Sequence, residues 1–173
     1  MTKDAEISAC GRYRWWLSRV WEPSKPVGAF ISLNPSIADA DIDDQTIRKD
    51  IGFAKRWGWG GFFKFNLFPY RSTKPAGLWA ANDPVGERGD SELADAATRG
   101  FVKLVAAWGS WTHPRVVSRI SRVLAGPLRD AELWSIGAPS KGGHPPHPLM
   151  LPYDRDLQRW PASPTVAERS DAK

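Results

Sequence analysis

Cysteine is all but missing from this chain: Cys10 stands alone among 173 residues, so no internal disulfide can form. Histidine is nearly as scarce, with only His113, His144 and His147, and a zinc site built on several cysteines is excluded. Long apolar runs are lacking too. No stretch reaches the length a bilayer demands, and the first residues show no charged-then-apolar leader. A soluble, cytoplasmic monomer is the expectation. Lysine is sparse beside arginine, in a chain whose net charge is +5 and whose pI is about 9.6. A basic domain attracts polyanions, and arginine meets phosphate with a two-pronged fork.

What is abundant is tryptophan, with ten residues. Core packing accounts for many of them. Ten are hard to bury completely in a chain that suits one domain with one core, and exposed ones are stacking platforms for bases.

Residues 1–10 are polar and read as a loose start, as does the polar tail 161–173, leaving 11–160 as the folded domain. Arg12 to Trp21 is rich in aromatics and reads as a strand that adds an edge or a small hairpin. Val27 to Leu33 is an apolar run of the kind buried on both faces. Beyond the acidic stretch Asp39, Asp41, Asp43 and Asp44, a helix starts with Asp43 or Asp44 as its cap. Ile47, Ile51 and Ala54 share a face of it, and Gly58 and Gly60 end it. Phe62 to Leu67 reads as a second buried strand, followed by a short helix near Leu78 to Ala81. Asp90 or Ser91 caps a helix running to Arg99, and Phe101 to Ala107 is a third strand. Pro114 opens the next helix, whose apolar face is Val117, Ile120 and Leu124, and Gly126 closes it before a fourth strand, Ala131 to Ile136. This alternation predicts an α/β domain: three α/β/α layers around a four-stranded parallel sheet, plus the aromatic N-terminal strand or hairpin.

Ligands of open α/β sheets bind outside the carboxyl ends of the strands. Four loops emerge there. They carry Leu33-Asn34-Pro35-Ser36, Asn66 to Arg71, Trp108 to Trp111, and Lys141 to Leu149 with its two His-Pro steps. Proline restricts Asn34 to an extended backbone, so its carboxamide either orients a water or polar ligand edge or simply forms a turn. Asn66 offers donor and acceptor to a base edge, or ends a strand. Phe68 and Tyr70 are placed to stack on a planar ligand. His144 and His147, in a proline-stiffened loop, can donate to developing negative charge, bind a metal, or serve structure alone. The acidic cluster Asp39 to Asp44 fits either a magnesium nuclease or a helix cap.

Several motifs together resemble a bacterial and phage family, domain-of-unknown-function family 1643. They are Tyr13-Arg14-Trp15-Trp16-Leu17-Ser18-Arg19, Leu33 to Ala40, Asp44-Gln45-Thr46-Ile47-Arg48, Gly52-Phe53-Ala54, Asn66-Leu67-Phe68, Ala106-Ala107-Trp108-Gly109 and His144 to Leu149, within about residues 11 to 152. The motif order is also distantly similar to the uracil-DNA glycosylase superfamily, in its mismatch-specific branch. There, a Gly-Ile-Asn-Pro-Gly motif follows the first buried strand, where this chain has Ser32-Leu33-Asn34-Pro35-Ser36. Gln45-Thr46-Ile47-Arg48 is similar to that branch's helix-opening segment, and His144-Pro145 or His147-Pro148 to the late His-Pro or Asn-Pro loop.

The resemblance implies that superfamily's parallel-sheet fold and a DNA N-glycosylase that flips a base and hydrolyses its glycosidic bond without cofactor or metal. Asn34, His144 and His147 would be catalytic. Leu33, Pro35, Asn66, Phe68 and Tyr70 would hold the base, and Ser36, Arg48, Arg71, Trp111, Lys141 and Gly143 the DNA. Ser32 and Ser36 in place of glycines, and Leu149-Met150-Leu151 after the late proline, imply a damaged or modified base rather than uracil. The alternatives are a non-catalytic nucleotide or DNA binder, and the nuclease on the acidic cluster.

Overall fold

Twelve elements follow one another in the computed structural model, which describes residues 1–36 and 38–161. They are β1 (Thr2–Ile7), β2 (Arg14–Val20), β3 (Val27–Ser32), α1 (Gln45–Arg56), β4 (Gly61–Asn66), α2 (Pro75–Ala80), α3 (Gly89–Thr98), β5 (Leu104–Ala106), α4 (Pro114–Ala125), β6 (Leu133–Ile136), a 3-10 turn (Pro148–Met150) and β7 (Leu157–Trp160). The strands form one sheet in the order β1-β2-β4-β3-β5-β6-β7. The pairs β3–β4, β3–β5 and β5–β6 are parallel, while β1–β2, β2–β4 and β6–β7 are antiparallel.

This corrects the expectation of a four-stranded parallel sheet of the uracil-DNA glycosylase type: the sheet has seven strands and is mixed. The apolar runs at β3, β4, β5 and β6 mark strands with neighbours on both sides. The added strands lie at the margins, where a strand needs no such run. β1 is Thr-Lys-Asp-Ala-Glu-Ile, and its charges suit an unpaired edge. It pairs with β2 along its length, so residues 2–7, read as loose from their polarity, are an edge strand. β7, Leu-Gln-Arg-Trp, closes the other edge. The tail from 162 onward lies outside the described residues.

Side-chain alternation on β3 and β4 splits the core in two. On one face Phe30 and Phe62 pack with Val105 against Ile47, Phe53 and Ala54 of α1. On the other, Ile31, Phe65 and Ala106 pack against Leu78 of α2, Leu93 and Ala96 of α3, and Val116 and Val123 of α4. α1 starts as the sequence implies: the Asp44 carboxylate accepts from the Ile47 amide at 2.8 Å. α3 starts at Gly89 with no side-chain cap, in place of Asp90 or Ser91. On α4 the buried face is Val116, Arg119 and Val123, whereas Val117 is 46% exposed.

Gly28 exists for one contact: a Cβ there would meet the Trp59 ring at 2.2 Å. Gly28→Ala is expected to destabilise by about 1–3 kcal/mol through overpacking, read from urea unfolding. An unchanged midpoint would mean that the ring is free to move aside.

Candidate functional site

β4 lies on one side of β3 and β5 on the other, so the chain reverses direction across the sheet at β3. Loops leaving β3 and β5 therefore splay apart and leave a crevice outside their carboxyl ends. The crevice is occupied by a cleft of about 190 Å³. The loop after β3 lines it with Leu33, Asn34 and Ser36, the start of α1 with Asp44, Thr46 and Ile47, and the loop after β5 with Trp108 and Trp111. Ser72 to Pro75 and His147 complete the rim, and Arg14, Ser32 and Lys64 supply polar groups from the strands.

Backbone and side chains lace the loops together. The amides of Leu67 and Phe68 donate to the carbonyls of Ser32 and Leu33 at 2.8 and 2.9 Å. Asn34 Nδ2 donates to the carbonyls of Pro35 and Ser72 at 3.0 and 2.9 Å, and the Ser72 amide returns to Pro35 at 2.9 Å. The Asn34 carboxamide thus clasps two loops, while its oxygen accepts no hydrogen bond from the described residues.

The floor is unusually polar for a place this deep. Lys64 of β4 and Asp50 of α1 form a buried ion pair. Burial pushes the Asp50 carboxyl up to about 6, against the downward pull of Lys64. Arg14, 1% exposed, donates to the Ala38 carbonyl at 2.7 Å and to Asn66 Oδ1 at 3.2 Å. Burial lowers its pKa to about 10, so it stays cationic at neutral pH. Among the described residues, five buried polar atoms in and under the cleft have no partner: Arg14 Nε, Ser32 Oγ, Asp50 Oδ1, Asn66 Nδ2 and Trp108 Nε1. An unmatched buried polar atom costs about 1–3 kcal/mol, and the three that belong to cleft-lining residues, on Arg14, Ser32 and Trp108, can all donate, which suits a ligand rich in acceptors.

His147 is the cleft's histidine. Its Nδ1 accepts from the Leu149 amide at 3.3 Å, which selects the tautomer with the proton on Nε2. Burial, then the Lys64 charge, lower its pKa to about 4, only partly opposed by Asp44. The ring is therefore a neutral donor at physiological pH. An unfolded chain takes up this proton near pH 6.5 and the folded one only near 4, so His147 weakens the fold as pH falls across that window. Asp50, with its raised pKa, acts in the opposite sense: its contribution is full below about 3.8 and lost as pH rises through about 6. His147→Gln isolates the first effect. Its stability is expected to fall less between pH 7 and pH 5 than that of the parent, by urea unfolding at both pH values. An unaltered slope would contradict the neutral assignment.

Of the residues singled out by sequence, Leu33, Asn34, Ser36, Trp111 and His147 meet in the cleft. Pro35 is buried behind it, and Asn66 lies beneath, held by Arg14. Phe68 is a core residue facing a different groove, and Tyr70 packs edge-on against Tyr13 at 5.9 Å. Neither is on this cleft, whose aromatics are Trp108 and Trp111. His144 and Lys141 line a neighbouring cleft that shares only Trp111 with this one. Gly143 accepts from Trp160 Nε1 at 2.8 Å. Arg48 folds back onto the Asp43 carbonyl, and Arg71 reaches the Gly11 carbonyl.

The acidic stretch is held by arginine. Arg19, fully buried on β2, donates to the Asp43 carboxylate at 2.7 Å and to the Asp39 carbonyl at 2.6 Å, and Lys3 also pairs with Asp43. The Asp39 carboxylate accepts the amides of Asp41 and Ile42. Among the described residues, no group of three His, Cys, Asp or Glu side chains is placed to hold a metal ion. Likewise, no described helix is long and apolar enough to cross a membrane.

Arg14, Asp50 and Lys64 are not among the site residues that the sequence points to. The signals were present: a lysine among phenylalanines in Phe62-Phe63-Lys64-Phe65, and an aspartate on the Ile47–Ala54 face of α1. Their meaning depends on the two falling opposite each other.

The model of a family described as "Protein of unknown function (DUF1643)" matches residues 14–149. No curated protein and no solved structure matches the chain.

Proposed function

We propose that this chain, which belongs to the DUF1643 family of proteins of unknown function, is a DNA N-glycosylase that releases a damaged or modified base. The observation that carries the reading is His147, a neutral Nε2–H donor beside the cationic Arg14 and Lys64 in a cleft of about 190 Å³. That volume is small for a whole cofactor but suits one base-sized group inserted from outside, as base flipping requires. The distant resemblance of Asn34-Pro35 and His147-Pro148 to the uracil-DNA glycosylase superfamily supports the same choice.

The chemistry follows from the charges. As the bond between the sugar carbon and the base nitrogen breaks, negative charge grows on the base and positive charge on the sugar. His147 donates to the base, and Arg14 and Lys64 lower the energy of the anion from below. Asn34 orients the attacking water through its carboxamide oxygen, and the Asp44 carboxylate favours the positive sugar. The water's hydroxyl ends on the sugar carbon and its proton on the released base. Trp111, half-buried on the rim, takes the stacking role expected of Phe68 and Tyr70.

The test is a panel of oligonucleotides, single-stranded and duplex, each with one damaged or modified base. Strand cleavage after alkali is expected for at least one base. No cleavage across the panel would sink the enzyme reading. It would favour a binder without turnover, for which the use of Asn34 Nδ2 as a loop clasp is the supporting observation.

A further inference from the structure

The face of the sheet that carries α3 and α4 has a second groove, of about 570 Å³, which the glycosylase scheme does not use. One wall is α4, whose Arg115, Arg119 and Arg122 follow at i, i+4 and i+7 and so share one side of the helix. The opposite wall is the loop through Pro84 and Val85, with Phe68 at its base.

Arg119 is the telling residue. It is 4% exposed, yet only part of its guanidinium is matched. Nε donates to the Leu67 carbonyl at 2.8 Å and Nη1 pairs with Asp90, while Nη2 has no acceptor among the described residues. Arg115 is held in place through the Ala81 carbonyl at 2.9 Å, and Arg122 has no carboxylate partner among the described residues. The groove's one carboxylate, Asp83, has an oxygen occupied by the amides of Val85 and Gly86. Three guanidiniums on one wall repel each other, and the one unmatched nitrogen of buried Arg119 adds to the cost. An anion with several oxygens relieves both. Pro84 and Val85 on the opposite wall, beside the more polar Asn82 and Asp83, suit the flat body of such an anion's carrier.

We propose that this groove is a second anion site, taking the phosphate of a nucleotide against Arg119 and Arg122 with the base or sugar against Val85 and Phe68. The phosphate belongs either to a free mononucleotide or to a strand of DNA. The site does not depend on the glycosylase reading and stands if that reading fails.

The experiment titrates the full chain with two probes, deoxyadenosine 5′-monophosphate and a short single-stranded oligonucleotide, following backbone amides by NMR. Shifts in residues 114–122 are expected with one probe or both. A response to both, or to the mononucleotide alone, identifies a nucleotide site, and a response to the oligonucleotide alone a phosphodiester site. Arg122→Glu is expected to weaken the binding at least tenfold, whereas Arg129→Glu, at an exposed position outside the groove, leaves it unchanged. The proposal is overturned if neither probe moves α4, or if the two variants weaken binding equally, since diffuse charge attraction would then suffice. Arg119→Gln serves as a second variant. If it unfolds the chain, the Arg122 and Arg129 comparison still decides.

Discussion

His147→Ala is expected to slow base release by about 10²–10³-fold, the usual effect of removing one preorganised donor from a site of developing negative charge. Binding of the same oligonucleotide should change far less, because the contact strengthens only as the base departs. His144→Ala is the internal control. The two histidines look alike in sequence, each followed by proline, but His144 lines the neighbouring cleft and should tolerate replacement. Single-turnover rates on the best oligonucleotide of the panel settle the matter. Equal losses in the two variants, or none in His147→Ala, would refute the assigned donor.

The second large effect concerns stability. Lys64→Met leaves the Asp50 carboxylate buried without its cation, with Oδ1 already unmatched. Breaking such a pair from one side costs about 3–5 kcal/mol. The deficit should shrink at pH 5 compared with pH 8. Asp50 is pushed up to about 6 by burial even with Lys64 present, and a protonated carboxyl needs no cation. Replacing both, as Lys64→Met with Asp50→Leu, should recover most of the loss, since apolar groups of similar volume commonly replace a buried pair without penalty. The double variant should nevertheless be slowed in base release, because the Lys64 charge beside His147 is gone and Arg14 alone remains. Urea unfolding of the three variants, with base release measured on the double variant, separates the roles. A double variant with full activity would show that the pair serves the fold alone.

Much of the fold was legible because its signals are local. Val27 to Ser32 and Gly61 to Asn66 are apolar enough to be strands buried on both faces, and an aspartate before Gln45 is a helix cap by chemistry alone, with Asp44 rather than Asp43 in the place. The sheet's margins were not legible. β1 and β7 are short and polar, and become strands because β2 and β6 offer them unpaired backbone. For the site, Asn34-Pro35 and the late histidines announced themselves as stiff loop residues at strand ends. Phe68 and Tyr70 misled because one residue of register decides whether an aromatic faces the cleft, the core or a neighbouring ring.

By itself, then, the sequence determined the alternation of strands and helices, the loops that meet above the sheet, and the exclusion of an internal disulfide and of a zinc site built on several cysteines. Those depend on residue type and near neighbours. Only the tertiary structure decided that the sheet is seven-stranded and mixed, and that His147 rather than His144 enters the cleft. It alone brought Arg14, Asp50 and Lys64 together beneath that cleft. The reason is physical: partners 14 to 52 residues apart meet through strand pairing and helix packing, and no local pattern records that distance.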